Sequence, residues 1–341
     1  MAIETVRFEL VPDWEQCPAG EANQHRDVAA VACDSQDRVY LHTRLVDRVA
    51  VHHEDGKFIG AWGEGVFNNA HGLTIHKDVA YATDHADSVV RIFDLEGNLK
   101  STLGKKGVVS DTGYEKRPGP YKIHKNESVE RAAGPFNSCC NTCIARNGDI
   151  FVCDGYGNAR VHHFGADGRL INSWGEIGTG PGQFHLPHGI AIDNDENIIV
   201  CDRENDRLQF FDRHGKLLYI WTDVQRPTHA AVDKDGLIYV TELWRPIEQG
   251  QGSFMHGYPD RDLPGRVTIF RKDGKIVARF GNDSKNRAAP GNFIAPHGLA
   301  LDSRGNLYIS EVSGTYGLVG TRMNKDECRN HPQIQKFARV A

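Results

Sequence analysis

One structural unit repeats six times along this 341-residue chain, and the repetition constrains the fold more than any other feature. One copy reads IAIDNDENIIVCDRENDRLQFFDRHGKLLYIWT from Ile190, and the others begin at Ala30, Leu73, Cys143, Ala230 and Leu299. Each copy contains short runs that alternate apolar and polar residues, separated by turns rich in Asn, Asp and Gly. Four such strands form a blade, so six copies predict an all-β, six-bladed β-propeller.

The two ends of the chain carry the strands that would close the ring. The last copy is interrupted, and its late strand, QIQKFARV, lies at the C-terminus, while VRFELVP near the N-terminus has the pattern of one further strand. Pairing these two segments would remove the open sheet edges. We expect one propeller domain over residues 1–341, without helical periodicity, and with loop insertions at about 105–133 and 245–264 over one face of the ring.

Composition and charge exclude several kinds of partner. The formal net charge is −5, and no basic, aromatic stripe is present, so we expect no nucleic-acid partner. No run of about eighteen apolar residues exists, so we expect no membrane partner. The opening residues, MAIETVRFEL, lack the basic and apolar regions of a signal peptide, which predicts a cytoplasmic protein whose eight cysteines are reduced.

A histidine recurs in the segment that leads into the first strand of alternate units. The frames FNNAHGLTI, FHLPHGIAI and FIAPHGLAL place His71, His188 and His297 at the same position of blades two, four and six. Alternate blades of a six-fold ring are about 120° apart, so these imidazoles should converge on the central axis. Three imidazoles with an open fourth position are typical of catalytic zinc, and we expect one Zn²⁺ per chain.

The odd-numbered units have other residues in this frame. Blade three has Cys140 and blade five has Thr228 at the histidine position, and His229 is displaced by one place and should point away. Cys140 is either a small buried residue or a further soft ligand or nucleophile. A lone histidine in such a frame would cap a turn, but three at alternate blades favour a shared metal.

The end of the second strand of each unit gives a second register of polar residues. Most are acids that we expect to anchor turns, namely Asp84, Asp154, Asp202, Glu242 and Glu311, whereas blade one has Arg44 there. A guanidinium at this place could bind a substrate carboxylate in bidentate fashion. His85 occupies the place of Arg44 in blade two. Tyr156 lies just beyond its acid, where a nearby dication and an arginine would lower its pKa and let it act as a base.

The units resemble NHL repeats, and the chain is similar more narrowly to the peptidyl-α-hydroxyglycine α-amidating lyase family. The resemblance rests on VCDGYGNARV, on WGEIGTGPGQFHLPHGIAI with CDRENDRLQFF, and on APHGLAL. That family is a six-bladed propeller with a central zinc held by three histidines. The resemblance implies zinc ligands at His71, His188 and His297, the catalytic tyrosine at Tyr156 and the active-site arginine at Arg44.

The resemblance also implies a reaction, the cleavage of a carbinolamide into an amide and glyoxylate. Zinc would bind and acidify the hydroxyl, the tyrosine would take its proton, and the arginine would hold the carboxylate or the developing tyrosinate. The expected partner is therefore a small molecule that carries a carboxylate. Further candidates for the pocket wall are His85, Cys140, Arg203 and Glu204.

Two residues depart from the family's pattern. Ala295 stands where the family has a methionine, which alters the pocket floor, and Gly298 stands where it has the aspartate of a structural calcium site, which puts that calcium in doubt. Without a signal, a role in processing secreted peptides is not expected, and the substrate is an N-acyl hydroxyglycine or another small hydroxy acid. The alternatives are a metal-dependent lactonase or hydrolase on the same propeller, and a non-enzymatic NHL scaffold that binds protein or RNA.

Overall fold

The computed structural model describes residues 6–18, 27–44, 46, 48–115, 128–245, 247, 253–281, 286–318, 328 and 331–340. Across these residues, 24 strands form six four-stranded antiparallel sheets. The inner strands of successive sheets contact one another in order around the ring, and the sixth contacts the first. The predicted six-bladed β-propeller is therefore confirmed.

The first three blades follow one another along the chain. Blade one contains β2 (Val28–Cys33), β3 (Val39–Thr43), β4 (Arg48–His52) and β5 (Phe58–Trp62). Blade two contains β6 (Ala70–His76), β7 (Val79–Asp84), β8 (Val89–Asp94) and β9 (Leu99–Leu103). Blade three contains β10 (Cys139–Ile144), β11 (Ile150–Asp154), β12 (Arg160–Phe164) and β13 (Leu170–Trp174).

The last three blades repeat the arrangement, and both chain ends enter the sixth. Blade four contains β14 (Pro187–Ile192), β15 (Ile198–Asp202), β16 (Arg207–Phe211) and β17 (Leu217–Trp221). Blade five contains β18 (Pro227–Val232), β19 (Ile238–Glu242), β20 (Arg266–Phe270) and β21 (Ile276–Phe280). Blade six contains β22 (Pro296–Leu301), β23 (Leu307–Glu311), β24 (Ile334–Val340) and β1 (Arg7–Val11).

The ring closes by pairing of the two chain ends. β1 runs antiparallel to β24, from Arg7 opposite Val340 to Val11 opposite Lys336. The N-terminal strand is thus the outermost strand of blade six, as the sequence predicts. Because the first and last strands share one sheet, the three C-terminal strands of blade six gain their fourth strand from the N-terminal end of the chain.

The hydrophobic core lies between neighbouring blades rather than at a single centre. Phe151 from blade three packs in one buried cluster with Phe184 and Phe211 from blade four. Equivalent clusters join the other blades, including blades five and six through Tyr239 and Leu299. This packing keeps the inner strands around the axis and leaves that axis free for polar side chains.

Two parts of the structure lie outside the repeat. A short helix, α1 (Ser313–Leu318), follows β23, although the sequence shows no helical periodicity; it is too brief to produce one. The described parts of the insertions form loops. In the second insertion, one isolated bridge joins Arg245 to Leu263 and another joins Ser253 to Gly257. The remainder of the insertions, residues 116–127, 246 and 248–252, lies outside the described residues. None of the described helices is long and apolar enough to cross a membrane.

Carboxylates at the ends of the second strands fix the segments that enter the inner strands. Asp154 accepts hydrogen bonds from the backbone N–H of Asn137, and Asp202 accepts one from that of His185. Equivalent bonds run from the inner-strand leaders of the other blades to Asp84, Glu242 and Glu311. The anchoring role expected for these acids is confirmed in blades two to six, where they hold the segment before the inner strand.

Candidate metal centre and active site

The three histidines of the repeated frame meet on the axis of the ring. One ring nitrogen from each of His71, His188 and His297 lies within 4.8 Å of the other two. The ring centroids are 4.8, 4.8 and 4.6 Å apart, so the arrangement is close to three-fold. All three side chains are buried. A β-bulge at this position of each inner strand turns the side chain toward the axis.

The second nitrogen of each imidazole is held by the neighbouring blade. Nδ1 lies 2.7 Å from the carbonyl oxygen of Cys140 for His71, 2.7 Å from that of Thr228 for His188, and 2.6 Å from that of Ala29 for His297. A carbonyl only accepts, so Nδ1 carries the hydrogen and Nε2 presents its lone pair to the axis. Such outer hydrogen bonds fix the tautomer and orientation of histidine ligands in metal sites.

This pairing explains why histidine alternates with small residues around the ring. The even blades contribute the imidazole, and the odd blades contribute the backbone carbonyl that orients it. A second histidine at the odd positions would compete for the same space on the axis. The alternation in the sequence therefore reflects two roles of one repeat position: it supplies an imidazole in the even blades and an orienting carbonyl in the odd blades.

The glycine after each axial histidine permits this close approach. A Cβ on Gly72 would lie 2.6 Å from the carbonyl oxygen of Cys140, and one on Gly189 would lie 2.4 Å from that of Thr228. A Cβ on Gly298 would lie 2.7 Å from Ser310 Oγ and 3.0 Å from the Cα of Ala30. Histidine and glycine therefore act together. The glycine permits close packing of adjacent inner strands, and this packing brings the Nδ1 of the histidine within hydrogen-bond distance of the carbonyl oxygen.

The axial histidines are neutral in the folded protein. Burial holds the pKa of His71, His188 and His297 well below the ordinary value. The neighbouring imidazoles and the guanidinium of Arg44 lower it further. Neutral imidazole is the form that binds a metal, so the residues present fit a zinc ion held by three Nε2 atoms.

Tyr156 places its hydroxyl at the same centre. Its oxygen lies 3.0 Å from Nε2 of His71 and 3.1 Å from Nε2 of His188. The phenol is buried, and burial raises its pKa, whereas the charges of Arg203 and Arg44 act in the opposite direction. The lowered pKa predicted for this tyrosine depends on a bound dication, and it stays a prediction.

Arg203 is the arginine in direct contact with Tyr156. Its guanidinium lies 3.4 Å from the phenol oxygen and 5.5 Å from the ring centre. Glu204 holds it at 2.7 Å and also pairs with Arg226 at 2.8 Å. Because two guanidiniums flank it, the pKa of Glu204 lies well below the usual range in spite of its burial. Glu204 thus faces the arginines and keeps the one beside the tyrosine in place.

Arg226 was not among the residues singled out from the sequence. It lies in the frame VQRPTHAAV, two places before Thr228, where the other blades have short or apolar residues. A charged residue in an otherwise buried frame position was the signal that could have revealed it. Its own backbone N–H donates to Asp206, which also accepts from Arg245, so the network extends into the second insertion.

Two further predicted pocket residues lie at the same rim. Arg44 donates from Nε to the carbonyl of Ala70 at 3.0 Å, and its charge reaches all three axial histidines and Tyr156. His85 lies with its ring centre 5.6 Å from that of His71 and 5.2 Å from that of Tyr156. The structure therefore brings both residues to the tyrosine side of the centre.

Cys140 takes part through its backbone rather than its thiol. Its carbonyl accepts from His71 and from Thr83, while Sγ lies 3.9 Å from the carbonyl of Ser138. Burial, with a smaller effect of Asp154, raises the pKa of this thiol to about 12. A thiol in that state is a poor nucleophile and a poor ligand, so the buried interpretation of Cys140 fits the structure.

The expectation that His229 points away from the axis is wrong. Its Nδ1 lies 2.6 Å from Nδ2 of Asn141, which belongs to the inner strand of blade three, so the contact spans the channel between two blades that are not neighbours. A bulge between Pro227 and His229 shifts the register of the strand by one place, which accounts for the changed direction of His229. Gly298 has no side-chain oxygen, and a Cβ there would lie 2.7 Å from Ser310 Oγ, so this position offers no side-chain ligand to calcium and the doubt about a calcium site stays a prediction.

Both insertions reach the rim that carries the tyrosine and the arginines. Thr112 donates to the carbonyl of Gly157, the residue after Tyr156, at 2.5 Å. Phe254 donates its backbone N–H to the carbonyl of Glu204 at 2.9 Å and stacks on His185 with ring centres 3.7 Å apart. The described parts of the insertions thus border the same face of the ring, where the polar side chains gather.

The fold and the axial residues define a six-bladed β-propeller with a candidate metal centre on its axis. A family model described as a 6-bladed beta-propeller matches residues 140–295. Of the solved structures, a streptogramin B lyase covers 100% of this chain and of its own with a TM-score of 0.57 and 10% identity. A gluconolactonase from Xanthomonas campestris has a TM-score of 0.55 and 14% identity, with 94% of this chain and 88% of its own covered. At these identities the likeness shows the fold alone.

The curated relatives are more informative. The chain is 34% identical over 258 residues, 73% of its length, to peptidyl-glycine alpha-amidating monooxygenase of Mus musculus, and it spans 23% of that protein. It is 34% identical over 169 residues to a probable peptidyl-alpha-hydroxyglycine alpha-amidating lyase of Caenorhabditis elegans, covering 48% of this chain and 42% of that one. It is 28% identical over 297 residues to NHL repeat-containing protein 3 of Homo sapiens, covering 78% and 80%.

These matches confirm the resemblance expected from the sequence. The chain is a six-bladed β-propeller related to NHL-repeat proteins and to the amidating lyases. It spans 23% of the mouse monooxygenase and 26% of a Xenopus laevis monooxygenase, so their activity as whole proteins does not transfer.

Proposed function

We propose that the protein is a zinc-dependent carbon–nitrogen lyase that cleaves an α-hydroxyglycine-like carbinolamide into an amide and glyoxylate. The observation that carries the proposal is the convergence of three neutral imidazoles with the hydroxyl of Tyr156, which lies 3.0 and 3.1 Å from two of their Nε2 atoms. The similarity to proteins named as amidating lyases supports a lyase of this kind. The substrate is a small molecule with a carboxylate, such as an N-acyl hydroxyglycine.

His71, His188 and His297 would hold the zinc through Nε2, because each Nδ1 is already bound to a carbonyl. When bound, the ion would lower the pKa of a hydroxyl that it contacts, as zinc does for water. The axial group contains no carboxylate, and hard ions such as calcium prefer oxygen ligands. This ligand set favours the lyase over a calcium-dependent lactonase.

Tyr156 would act as the base. Its oxygen lies beside the nitrogens that would hold the ion, so it is within reach of a substrate hydroxyl at the centre. It would take the hydroxyl proton, the oxygen's electron pair would form the aldehyde of glyoxylate, and the C–N bond would break. The electron pair of that bond would go to the amide nitrogen, which would receive the proton. Arg203, 3.4 Å from the phenol oxygen, would stabilise the tyrosinate in between.

Arg44 would bind the carboxylate of the substrate. It is half-buried on the same rim, and its charge lowers the pKa of each axial histidine. Arg203 already contacts Glu204 and Tyr156, so Arg203 would stabilise the tyrosinate and Arg44 would bind the substrate. A planar guanidinium can contact both oxygens of a carboxylate and thereby orient the carbinol carbon toward the centre.

The test is zinc analysis of the wild-type protein beside His188→Ala, with glyoxylate release from N-acyl-α-hydroxyglycines measured on both. We expect His188→Ala to lose about one zinc per chain and to release no glyoxylate above background. His214→Ala is the matched control, because His214 is exposed on an outer turn, and it should keep zinc and turnover.

Each part of the proposal fails on a different result. Equal zinc in the wild type and in His188→Ala would remove the axial metal. If the axial site holds zinc but no N-acyl-α-hydroxyglycine of any acyl length releases glyoxylate, the proposed lyase activity is wrong. The metal-dependent hydrolase is then the remaining alternative for the site. A protein with neither zinc nor glyoxylate release would be a calcium-dependent hydrolase or a binding scaffold.

A further inference from the structure

A second group of metal-ligating side chains lies on the outer part of blade one, on a strand that does not line the axis. Cys17 Sγ is 3.4 Å from His52 Nε2, and Glu15 Oε1 is 3.9 Å from the same nitrogen. The ligand atoms of all three residues lie within 4.8 Å of one another. His52 is buried at the end of β4, whereas Glu15 and Cys17 are half-buried. The proposed lyase chemistry uses none of these residues.

The segment that carries Glu15 and Cys17 is held firmly on blade one. Gln16 donates to the carbonyl of Gly56 at 2.9 Å and accepts from the N–H of Phe58 at 3.1 Å. Trp14 donates from its indole to the carbonyl of Glu54 at 2.9 Å. In an extended segment, residues two apart face the same side, so Glu15 and Cys17 both face His52.

Close contact between this segment and the blade is built into the backbone. A Cβ on Gly56 would lie 1.6 Å from the carbonyl oxygen of Trp14, so glycine is required at that turn. The Trp14 ring is buried, with its centre 5.7 Å from that of His52 and 5.2 Å from that of Tyr308. Both ligands of the segment are therefore positioned by the protein itself.

The donor set and spacing suit zinc. Thiolate, imidazole and carboxylate are its three common protein ligands, and Zn–S and Zn–N bonds of about 2.3 and 2.0 Å at a tetrahedral angle put S and N about 3.5 Å apart. The observed 3.4 Å between Cys17 and His52 matches that separation. A thiol–imidazole hydrogen bond would also account for that one distance. Glu15 Oε1 lies 3.9 Å from the same nitrogen, beyond hydrogen-bond distance, so that hydrogen bond does not include the carboxylate, whereas a shared ion would.

We propose that Glu15, Cys17 and His52 form a second transition-metal site, which takes Zn²⁺ with water as the fourth ligand. The site clamps the segment that follows β1 onto blade one. Because β1 closes the ring through blade six, the clamp ties that closing strand to the neighbouring blade. The inference does not depend on the lyase reaction.

Cobalt substitution separates this site from the axial one. The full chain would be stripped of metal and titrated with Co²⁺ under reducing conditions. A thiolate ligand gives a near-ultraviolet charge-transfer band, which three imidazoles cannot give. We expect the band in the wild type and in His188→Ala, and its loss in Cys17→Ser together with about one equivalent of bound metal.

The chain offers a matched control in Cys33, the other half-buried cysteine, since the remaining six are buried. Cys33→Ser should keep the band and the metal. Glu15→Gln preserves the thiolate and should weaken metal binding by about tenfold or more in competition with a chelator. Absence of the band in the wild type, its survival in Cys17→Ser, or unchanged affinity in Glu15→Gln would overturn the proposal.

Discussion

Tyr156 is the residue whose surroundings decide what the site can do. Its phenol is buried, which favours the neutral form, and it lies beside two imidazole nitrogens and the guanidinium of Arg203. In the absence of a dication burial has the larger effect, so the tyrosine needs the bound ion to ionise near neutral pH. In the proposed mechanism, protonation of the tyrosine and occupancy of the metal centre are therefore linked.

Replacement of Tyr156 by phenylalanine tests its role as a base. Tyr156→Phe removes the hydroxyl and leaves all three axial histidines, so we expect zinc content to stay at the wild-type level. We expect kcat for glyoxylate release to fall by about 10²–10⁴, the usual contribution of a general base. Steady-state kinetics on zinc-saturated protein is the measurement.

Tyr219→Phe is the control for that substitution, because Tyr219 is a partly exposed tyrosine on an outer strand. It should leave kcat unchanged. Wild-type turnover in Tyr156→Phe would exclude the tyrosine as the base, and loss of zinc in that variant would show that it supports the ligands instead.

The inner strand is the element that couples the fold to the site. In each even blade a bulge carries the histidine, and the next residue is a glycine packed against the neighbouring strand. In the odd blades the same bulge exposes the carbonyl that orients the imidazole. Contact between adjacent inner strands therefore sets the direction of Nε2.

A methyl group at one of these glycines should disturb both stability and metal binding. A Cβ at Gly189 would lie 2.4 Å from the carbonyl oxygen of Thr228 and 2.7 Å from the Cα of His229, and neither backbone atom can move alone. We expect Gly189→Ala to lower the free energy of unfolding of metal-free protein by about 1–3 kcal/mol. Zinc affinity should also fall, because the acceptor of His188 is displaced.

Gly60 provides the comparison, since it lies in β5, and a Cβ there would meet nothing within 4 Å. Gly60→Ala should be neutral or slightly stabilising in the same urea titration. If Gly189→Ala unfolded at the wild-type urea concentration and bound zinc normally, the close approach of blades four and five would not be required.

Neutral histidines are buried in the propeller both on its axis and between its blades. His42 lies in blade one, donates to the carbonyl of Gly72 in blade two at 3.2 Å, and packs against Phe67. Burial lowers its pKa from 6.5 to about 3, and the charges of Arg44 and Arg91 act in the same direction. Packing between blades, rather than any single strand, imposes this state.

Acid should therefore destabilise the propeller. Between pH 6.5 and about 3 the unfolded chain binds a proton at His42 and the folded chain does not. His42 therefore does not reduce the free energy of unfolding above pH 6.5. Below pH 6.5 it lowers the free energy of unfolding by about 1.4 kcal/mol for each pH unit. His42→Gln, which keeps a donor for Gly72, should reduce the loss of unfolding free energy between pH 7 and 5 by about 2 kcal/mol.

Urea unfolding at the two pH values gives this difference directly, and His214→Gln on the exposed outer turn should leave it as in the wild type. An identical pH dependence in His42→Gln and the wild type would mean that His42 is already protonated, or accessible to water, in the folded ring.

Much of the architecture and of the axial site could be predicted from the repeat. Six copies of the repeat predict six blades, and the separated strands at the two chain ends predict closure of the ring in the last blade. A histidine in every second copy is repeated about every 120° around the axis. His71, His188 and His297 were recognisable because they hold one place in a repeated frame, and Tyr156 because it lies just beyond the acid that ends the second strand of blade three. That periodic frame is a property of the sequence alone.

The contacts that give those residues their chemistry were not recognisable, because they join positions of the repeat that differ from blade to blade. The carbonyl acceptors of the imidazoles carry no side-chain signal, and the pairing of His229 with Asn141 depends on a bulge that reverses the expected direction. Arg226 reaches Glu204 across a blade boundary, and Cys17 meets His52 across 35 residues. Periodicity decides which position a residue holds in its blade, whereas packing between blades decides what that residue touches.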